Sequence, residues 1–244
     1  VARSAAEGHI EGDRIRIRHR TILHQLGLDP ELLNRYFVEL YALLDEVRKR
    51  GQILPGELDH ILAMGERMSA RVVAQTLKQM GLRAAPVDAY DIGLVTDSNF
   101  GDARPVNGLG ERIRAALEQV GGIPVVTGFV ARDARGNLTT MGRNGSDLTA
   151  ALLAEAVGAG ELQLWKAVSG MMTADPALVS EARTVERLGL AEAAEYAFHG
   201  AEVLYGAALA PVQRANVVVR ILDVRAPHDA GTVLEMTSRV HGLV

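Results

Sequence analysis

The sequence has no cysteine among its 244 residues. That excludes a disulfide framework, a thiol nucleophile and a thiolate metal site. Aromatic residues make up only 4%, so the core must be built mainly from Ala, Val, Leu and Ile. No apolar run approaches the ~20 residues that span a bilayer. The N-terminal stretch carries Glu7, Asp13, Arg14, Arg16, Arg18 and Arg20, unlike the apolar centre of a signal peptide. Positive charge is not in excess: the formal net charge is −4, which gives no reason to expect nucleic acid as a partner. The histidines show no metal-ligand spacing, and there is no G-x-S-x-G, H-E-x-x-H or complete P-loop. A cytoplasmic protein without a membrane partner is expected.

What remains is an ordinary globular composition, 48% hydrophobic and 23% charged, enough to bury a sizeable core. Residues 10–82 read as mostly helical. The cluster from Arg14 to Arg20 reads as a solvated helix face. Asp29-Pro30-Glu31 is a helix-start signature, Gly51 and Pro55 punctuate the next break, and a long helix is expected from Leu58 to Met80, stopped by Gly81. Beyond it, short apolar or β-branched runs at Ala84–Asp88, Ile92–Thr96, Ile123–Thr127, Leu162–Trp165 and Val217–Ile221 alternate with helical stretches at 110–120, 147–157, 191–198 and 206–215. Asp133 to Asn137 reads as a turn between two antiparallel strands. The pattern predicts an α/β fold with a mainly parallel sheet. It is read as one domain over 1–244, helical over 1–82 and sheet-rich over 83–244.

Three stretches can carry chemistry. In Thr139 to Ala150, Gly142 and Gly145 flank Arg143 and Asn144 and lead into an apolar helix through Ser146 and Asp147. A loop entering a helix N-terminus offers backbone N–H groups to an anion, and Arg143 adds a fork suited to a carboxylate. Simple capping by Ser146 or Asp147 explains the same residues, and both readings stay open. Glu66 is the second signal. At ~100° per residue it lies opposite Arg67, Arg71 and Lys78 and on the side of Val73 and Leu77. A carboxylate on an apolar side needs a cation: either an internal one, such as Arg143, or a substrate ammonium. The third stretch runs from Leu164 to Pro176. Lys166 follows a predicted strand, where ligands of open α/β sheets gather, although a surface lysine is the plainer reading. Met171 and Met172 could line a base pocket, although such residues are more often core filler.

Taken in order, Gly65–Ala70, Thr96–Gly101, Val126–Phe129, Thr139–Ala150, Leu164–Pro176 and Ala191–Leu204 resemble the aspartate kinase branch of the amino acid kinase family; Pro227–Leu234 resembles the strand that closes the family's kinase domain. The resemblance covers about residues 30–235. It implies a three-layer α/β/α sandwich around a mainly parallel central sheet. The implied activity is transfer of the γ-phosphoryl group of ATP, with Mg²⁺, to the side-chain carboxylate of L-aspartate. That is the first step toward the aspartate-derived amino acids, lysine among them. By the same resemblance Glu66 pairs with the substrate ammonium, while Arg143, Asn144, Gly145 and Ser146 hold its α-carboxylate. Asp147 and Lys166 act at the reacting centre, and Lys166, Ala167, Met172, Ala177, Glu202 and Val203 contact the nucleotide. A homo-oligomer, a dimer, is implied.

The departures lie on the nucleotide side. The family's opening Lys-Phe-Gly-Gly-Thr strand and loop is not found, Ala167 stands where a carboxylate is usual, and Met172 stands where an aromatic is usual. Ala177 replaces an Arg and Glu202 a cation or amide. The expectation is therefore a kinase-like domain with little activity alone and, without ACT domains, no response to lysine or threonine. A non-catalytic amino-acid-binding paralogue, or a truncated partner of a full-length kinase, is the alternative. A carboxylate kinase for another amino acid fits Glu66 and the Arg143 loop less well.

Overall fold

The computed structural model describes residues 1–175, 178–198 and 206–236. They fall into two compact units, Val1–Ser146 and Asp147–Val244.

The first unit opens with four helices: α1 (Ala2–Ala6), α2 (Gly12–Gln25), α3 (Asn34–Arg50) and α4 (Pro55–Gln79). The Asp29-Pro30 signature starts only a turn. The Asp29 side chain accepts the Glu31 N–H at 2.9 Å, but α3 begins at Asn34. Leu33, fully buried, is drawn into the helical core, and its carbonyl accepts the first helical bonds, from Tyr36 and Phe37. Gly51 ends α3 in the left-handed conformation at φ 69°, which costs glycine nothing. The start of α4 lies earlier than Leu58. Pro55 occupies its first turn, and the Glu57 carboxylate accepts the Leu54 N–H at 3.0 Å.

Two faces of α4 are buried. Ile61, Met64 and Met68 join Leu23, Leu33, Leu40 and Leu44 in the helical core. Asp59, Ala63, Ala70 and Ala74 are buried on the face toward the strands, and Ala63 packs with Tyr90, Val130 and Leu138. The alanines allow the helix to lie close on β1 (Ala84–Val87), β3 (Ile123–Val126) and β5 (Leu138–Thr140). Between these come β2 (Val95–Thr96), α5 (Gly110–Glu118) and β4 (Val130–Asp133). The strand expected over 92–96 is shortened because Asp91 and Gly93 close turns onto Asp88 and Tyr90. β1 pairs parallel with β3 and β2 with β4, while β4 and β5 form the expected antiparallel hairpin.

The second unit takes most of α6 (Gly145–Val157), then β6 (Glu161–Lys166), β7 (Arg187–Gly189), α7 (Leu190–Phe198), α8 (Gly206–Arg214), β8 (Val218–Asp223) and β9 (Thr232–Glu235). Its strands run in the order β6-β8-β9-β7, with β6–β8 and β7–β9 parallel and β8–β9 antiparallel. Leu164, Met171, Leu190, Leu209, Val219, Ile221 and Leu234 form the centre of its core. The short strand β7 has no counterpart in the sequence reading. The expected mixed α/β fold with parallel-rich pairing is what is found, with the ladders falling in three sets. Among the described residues, no helix is long and apolar enough to cross a membrane.

Candidate active site

The loop after β5 is held by groups on three sides. At the tip of the β4–β5 hairpin, Asp133 accepts the N–H groups of Arg135 and Asn137, both at 2.9 Å, and the Ser98 hydroxyl at 2.9 Å. Burial alone would raise its pKa, but these hydrogen bonds hold it below the ordinary carboxylate value. At the other end of β5, Asp59 of α4, only 1% exposed, accepts the Thr140 N–H at 2.7 Å, the Thr140 hydroxyl at 3.0 Å and the Gly101 N–H at 3.0 Å. One carboxylate thereby ties α4, β5 and the loop after β2 together.

Beyond Thr140 the chain turns through Gly142 at φ 69° and Asn144 at φ 59°, and the Gly145 N–H closes onto the Gly142 carbonyl at 3.2 Å. A Cβ on Gly142 would lie 2.7 Å from Asp102 Oδ1, so this crest needs glycine for its space as well as its φ. Arg143 stands exposed on the crest, and Gly145 is buried. Below it lies Phe129, itself in the left-handed region at φ 67°, an uncommon conformation for a bulky residue and one that clusters at functional sites. Ser146 packs against Gly128, where a Cβ would come within 2.9 Å of the serine hydroxyl. Three stretches distant in sequence, at 96–102, 126–129 and 139–146, thus converge on one turn.

Glu66 lies seven residues beyond Asp59 on α4, about 20° away around the helix, and so shares the strand-facing row. It is half-buried. Burial pushes its carboxyl pKa up, and among the described residues no hydrogen bond or ion pair reaches it. The internal ion pair considered from the sequence is therefore not formed. The row it shares also needs correction. Val73 is 45% exposed, because it lies at the edge of the buried row, whose members are Ala63, Ala70 and Ala74.

In the second unit Asp147 and Lys166 come together. Lys166 at the end of β6 donates to both oxygens of Asp147, in the first turn of α6, at 2.8 and 2.7 Å. Both side chains are largely buried, so Lys166 is not a solvated surface lysine. Ala167 is exposed, and its carbonyl accepts from Arg225 at 2.5 Å. Arg225 also binds Asp223, whose pKa falls to about 2. Met171 is a core residue, whereas half-buried Met172 bridges to Thr184. Ala177, Glu202 and Val203 lie outside the described residues.

The sequence reading missed Asp59 and the role of the arginines on α4. Arg67 and Arg71 are not on a solvated face. Arg71 grips buried Asp88, with Nη2–Oδ2 at 2.7 Å, and Tyr90 also donates to Asp88 at 2.8 Å. Arg67 and His60 both bind Glu39, at 2.7 and 2.6 Å. Burial opposes the charge on Asp88 and Glu39, but these partners hold both pKa values low. The spacing of Asp59, Ala63, Glu66 and Ala70 was the available signal: a row of small residues punctuated by carboxylates marks a face against backbone.

The fold is a mixed α/β one in which a glycine-and-arginine turn leads into a helix. The chain belongs to the amino acid kinase family, whose model matches residues 12–223. It is 33% identical over 224 residues to aspartokinase 1, chloroplastic, of Arabidopsis thaliana, covering 90% of this chain and 39% of that protein. It is 36% identical over 198 residues to the aspartokinase of Thermus thermophilus, covering 81% of this chain and 48% of the relative. Among solved structures it resembles E. coli aspartokinase III in complex with aspartate and ADP. There the TM-score is 0.84 at 30% identity, covering 98% of this chain and 56% of that one. The chain thus spans less than half the length of these curated relatives.

Proposed function

We propose that this chain is the catalytic domain of an aspartate kinase, transferring the γ-phosphoryl group of ATP to the side-chain carboxylate of L-aspartate. The observation that carries this reading is Glu66: a half-buried carboxylate without a partner among the described residues, on the helix face that Asp59 ties to the strand leading into the Arg143 turn. A zwitterionic substrate needs one anion and one cation. Glu66 supplies the first for the ammonium. Arg143, with the backbone of Asn144, Gly145 and Ser146, supplies the second for the α-carboxylate, and the two are read as facing one cavity.

Phosphoryl transfer asks a protein mainly for positioning and for cations that meet the developing charge. Asp147 fixes the Lys166 ammonium through two of its donors, leaving a third for a phosphate oxygen. Among the described residues no cluster of three acidic or histidine side chains suits a metal. That fits a Mg²⁺ held chiefly by phosphates and water, and when bound it supplies charge neutralisation. The nucleotide side rests on Lys166 and Ala167 and on family membership. Assembly as a homodimer and a cytoplasmic location belong to the same reading and rest on resemblance.

Calorimetric titration with L-aspartate tests the substrate half. Arg143→Ala is expected to weaken binding by about 1.5–3 kcal/mol, the scale of a charged hydrogen bond. An unchanged affinity would remove Arg143 from the site. Trapping aspartyl phosphate as its hydroxamate tests turnover.

A further inference from the structure

A cavity of about 370 Å³ opens elsewhere in the first unit, walled by Glu39 of α3, His60 and Arg67 of α4, Phe100, Arg132 of β4 and Leu138 of β5. Neither Glu66 nor Arg143 lines it. Its volume is within the range of ~300–1,000 Å³ usual for small-molecule sites.

The ion pairs around this cavity leave one cation out. Behind and along its wall stand three guanidinium groups, Arg67, Arg71 and Arg132, and two carboxylates, Glu39 and Asp88. Both carboxylates are engaged: Glu39 by Arg67 and His60, Asp88 by Arg71 and Tyr90. Asp133, a third carboxylate nearby, is taken up by neutral donors of its own hairpin and forms no ion pair among the described residues. Among the described residues, Arg132 forms no ion pair and no side-chain hydrogen bond. Its guanidinium carbon lies 4.0 Å from the centre of the Tyr90 ring, so the face of that ring helps to hold the group in place. Its Nε is buried without a hydrogen bond, as are those of Arg67 and Arg71. Buried donors are nearly always satisfied, and each exception calls for a physical cause.

We propose that this cavity binds the carboxylate of a small organic acid, held by the fork of Arg132, with a short hydrocarbon stem against Phe100 and Leu138. One cation without an ion-pair partner among the described residues matches one monoanion. A phosphate dianion would bring a second negative charge toward Glu39, so the carboxylate is favoured. The site is distinct from the one proposed for aspartate, and its test does not depend on that reading.

Saturation-transfer NMR on the 244-residue chain, with butyrate as probe, reads this out through the butyrate methyl signal. Transfer is expected at millimolar butyrate, competed by acetate and only weakly by inorganic phosphate. Arg132→Met should weaken binding about tenfold or more, while Arg143→Ala leaves it unchanged. No transfer, equal competition by phosphate, or an Arg132→Met variant that binds as before would overturn the proposal. Circular dichroism monitors the fold. If Arg132→Met is unfolded, Arg132→Lys keeps the charge and loses the fork. It should bind several-fold more weakly, and unchanged affinity there also overturns the assignment.

Discussion

The first two turns of α4 and its middle turn each carry a carboxylate on the same face, and they are treated in opposite ways. Asp59 is almost wholly buried and receives three hydrogen bonds from β5 and the loop after β2. Glu66, seven residues on, is half-buried and receives none among the described residues. The same burial that is fully compensated at Asp59 is uncompensated at Glu66, where it raises the pKa. A buried acid with its bonds made is a structural fastener. One held without them is the kind of group that the proposed function assigns to a ligand's cation.

Breaking the fastener should have the largest effect. Asp59→Ala strands the Thr140 and Gly101 N–H groups and frees the β5 end from α4. A loss of about 3–5 kcal/mol is expected, from two or three unmade bonds at ~1–3 kcal/mol each. A urea titration showing less than about 1 kcal/mol would mean that Asp59 is dispensable and the contrast false.

The converse change at Glu66 should be felt by the ligand. Glu66→Gln is expected to weaken L-aspartate binding by about 1.5–3 kcal/mol through loss of the charge facing the ammonium. Calorimetry decides this, and an unaltered affinity would reduce Glu66 to a buried oddity.

The smallest effect is the sharpest. A carboxyl whose folded pKa is raised binds its proton more tightly folded than unfolded, so the protein loses stability as pH rises from the unfolded value toward the folded one. Glu66→Gln should therefore stabilise the unliganded chain at pH 7 by roughly 1 kcal/mol. The gain should vanish below the ordinary glutamate value of 4.5. Thermal melts at both pH values test this; a gain that persists in acid would point to packing rather than charge.

Much of the fold was legible because the signals were local. The apolar runs that became β1, β3, β6 and β8, the left-handed glycines after α3 and α4, and the turn from Asp133 to Asn137 follow from neighbouring residues alone. What was illegible depends on partners far along the chain. Asp59 near a helix start looks like an acid placed for the helix dipole. Its true partners lie at 101 and 140. Arg67 and Arg71 look like solvated charges until Glu39 and Asp88 are brought beside them. Strand β7, three residues with an exposed arginine, exists because β9 offers it a parallel edge. At the site, the turn around Arg143 was visible from its glycines, whereas the Asp147–Lys166 pair joins a helix start to a strand end and leaves no trace in spacing.

The packing around Phe129 has an evolutionary consequence. A side chain on Gly128 would collide with Ser146, and one on Gly145 would come within 3.1 Å of the Phe129 ring and 3.0 Å of Met141. Positions 128 and 146, and likewise 129 and 145, are therefore expected to be epistatic. Gly128→Ala should be harmful alone and less so after Ser146→Gly, which removes the two side-chain contacts at 2.9 Å and leaves the Cα at 3.1 Å, a coupling that a double-mutant cycle can measure. Descendants of this chain can reach a new turn there only along ordered paths, in which space is vacated before it is filled.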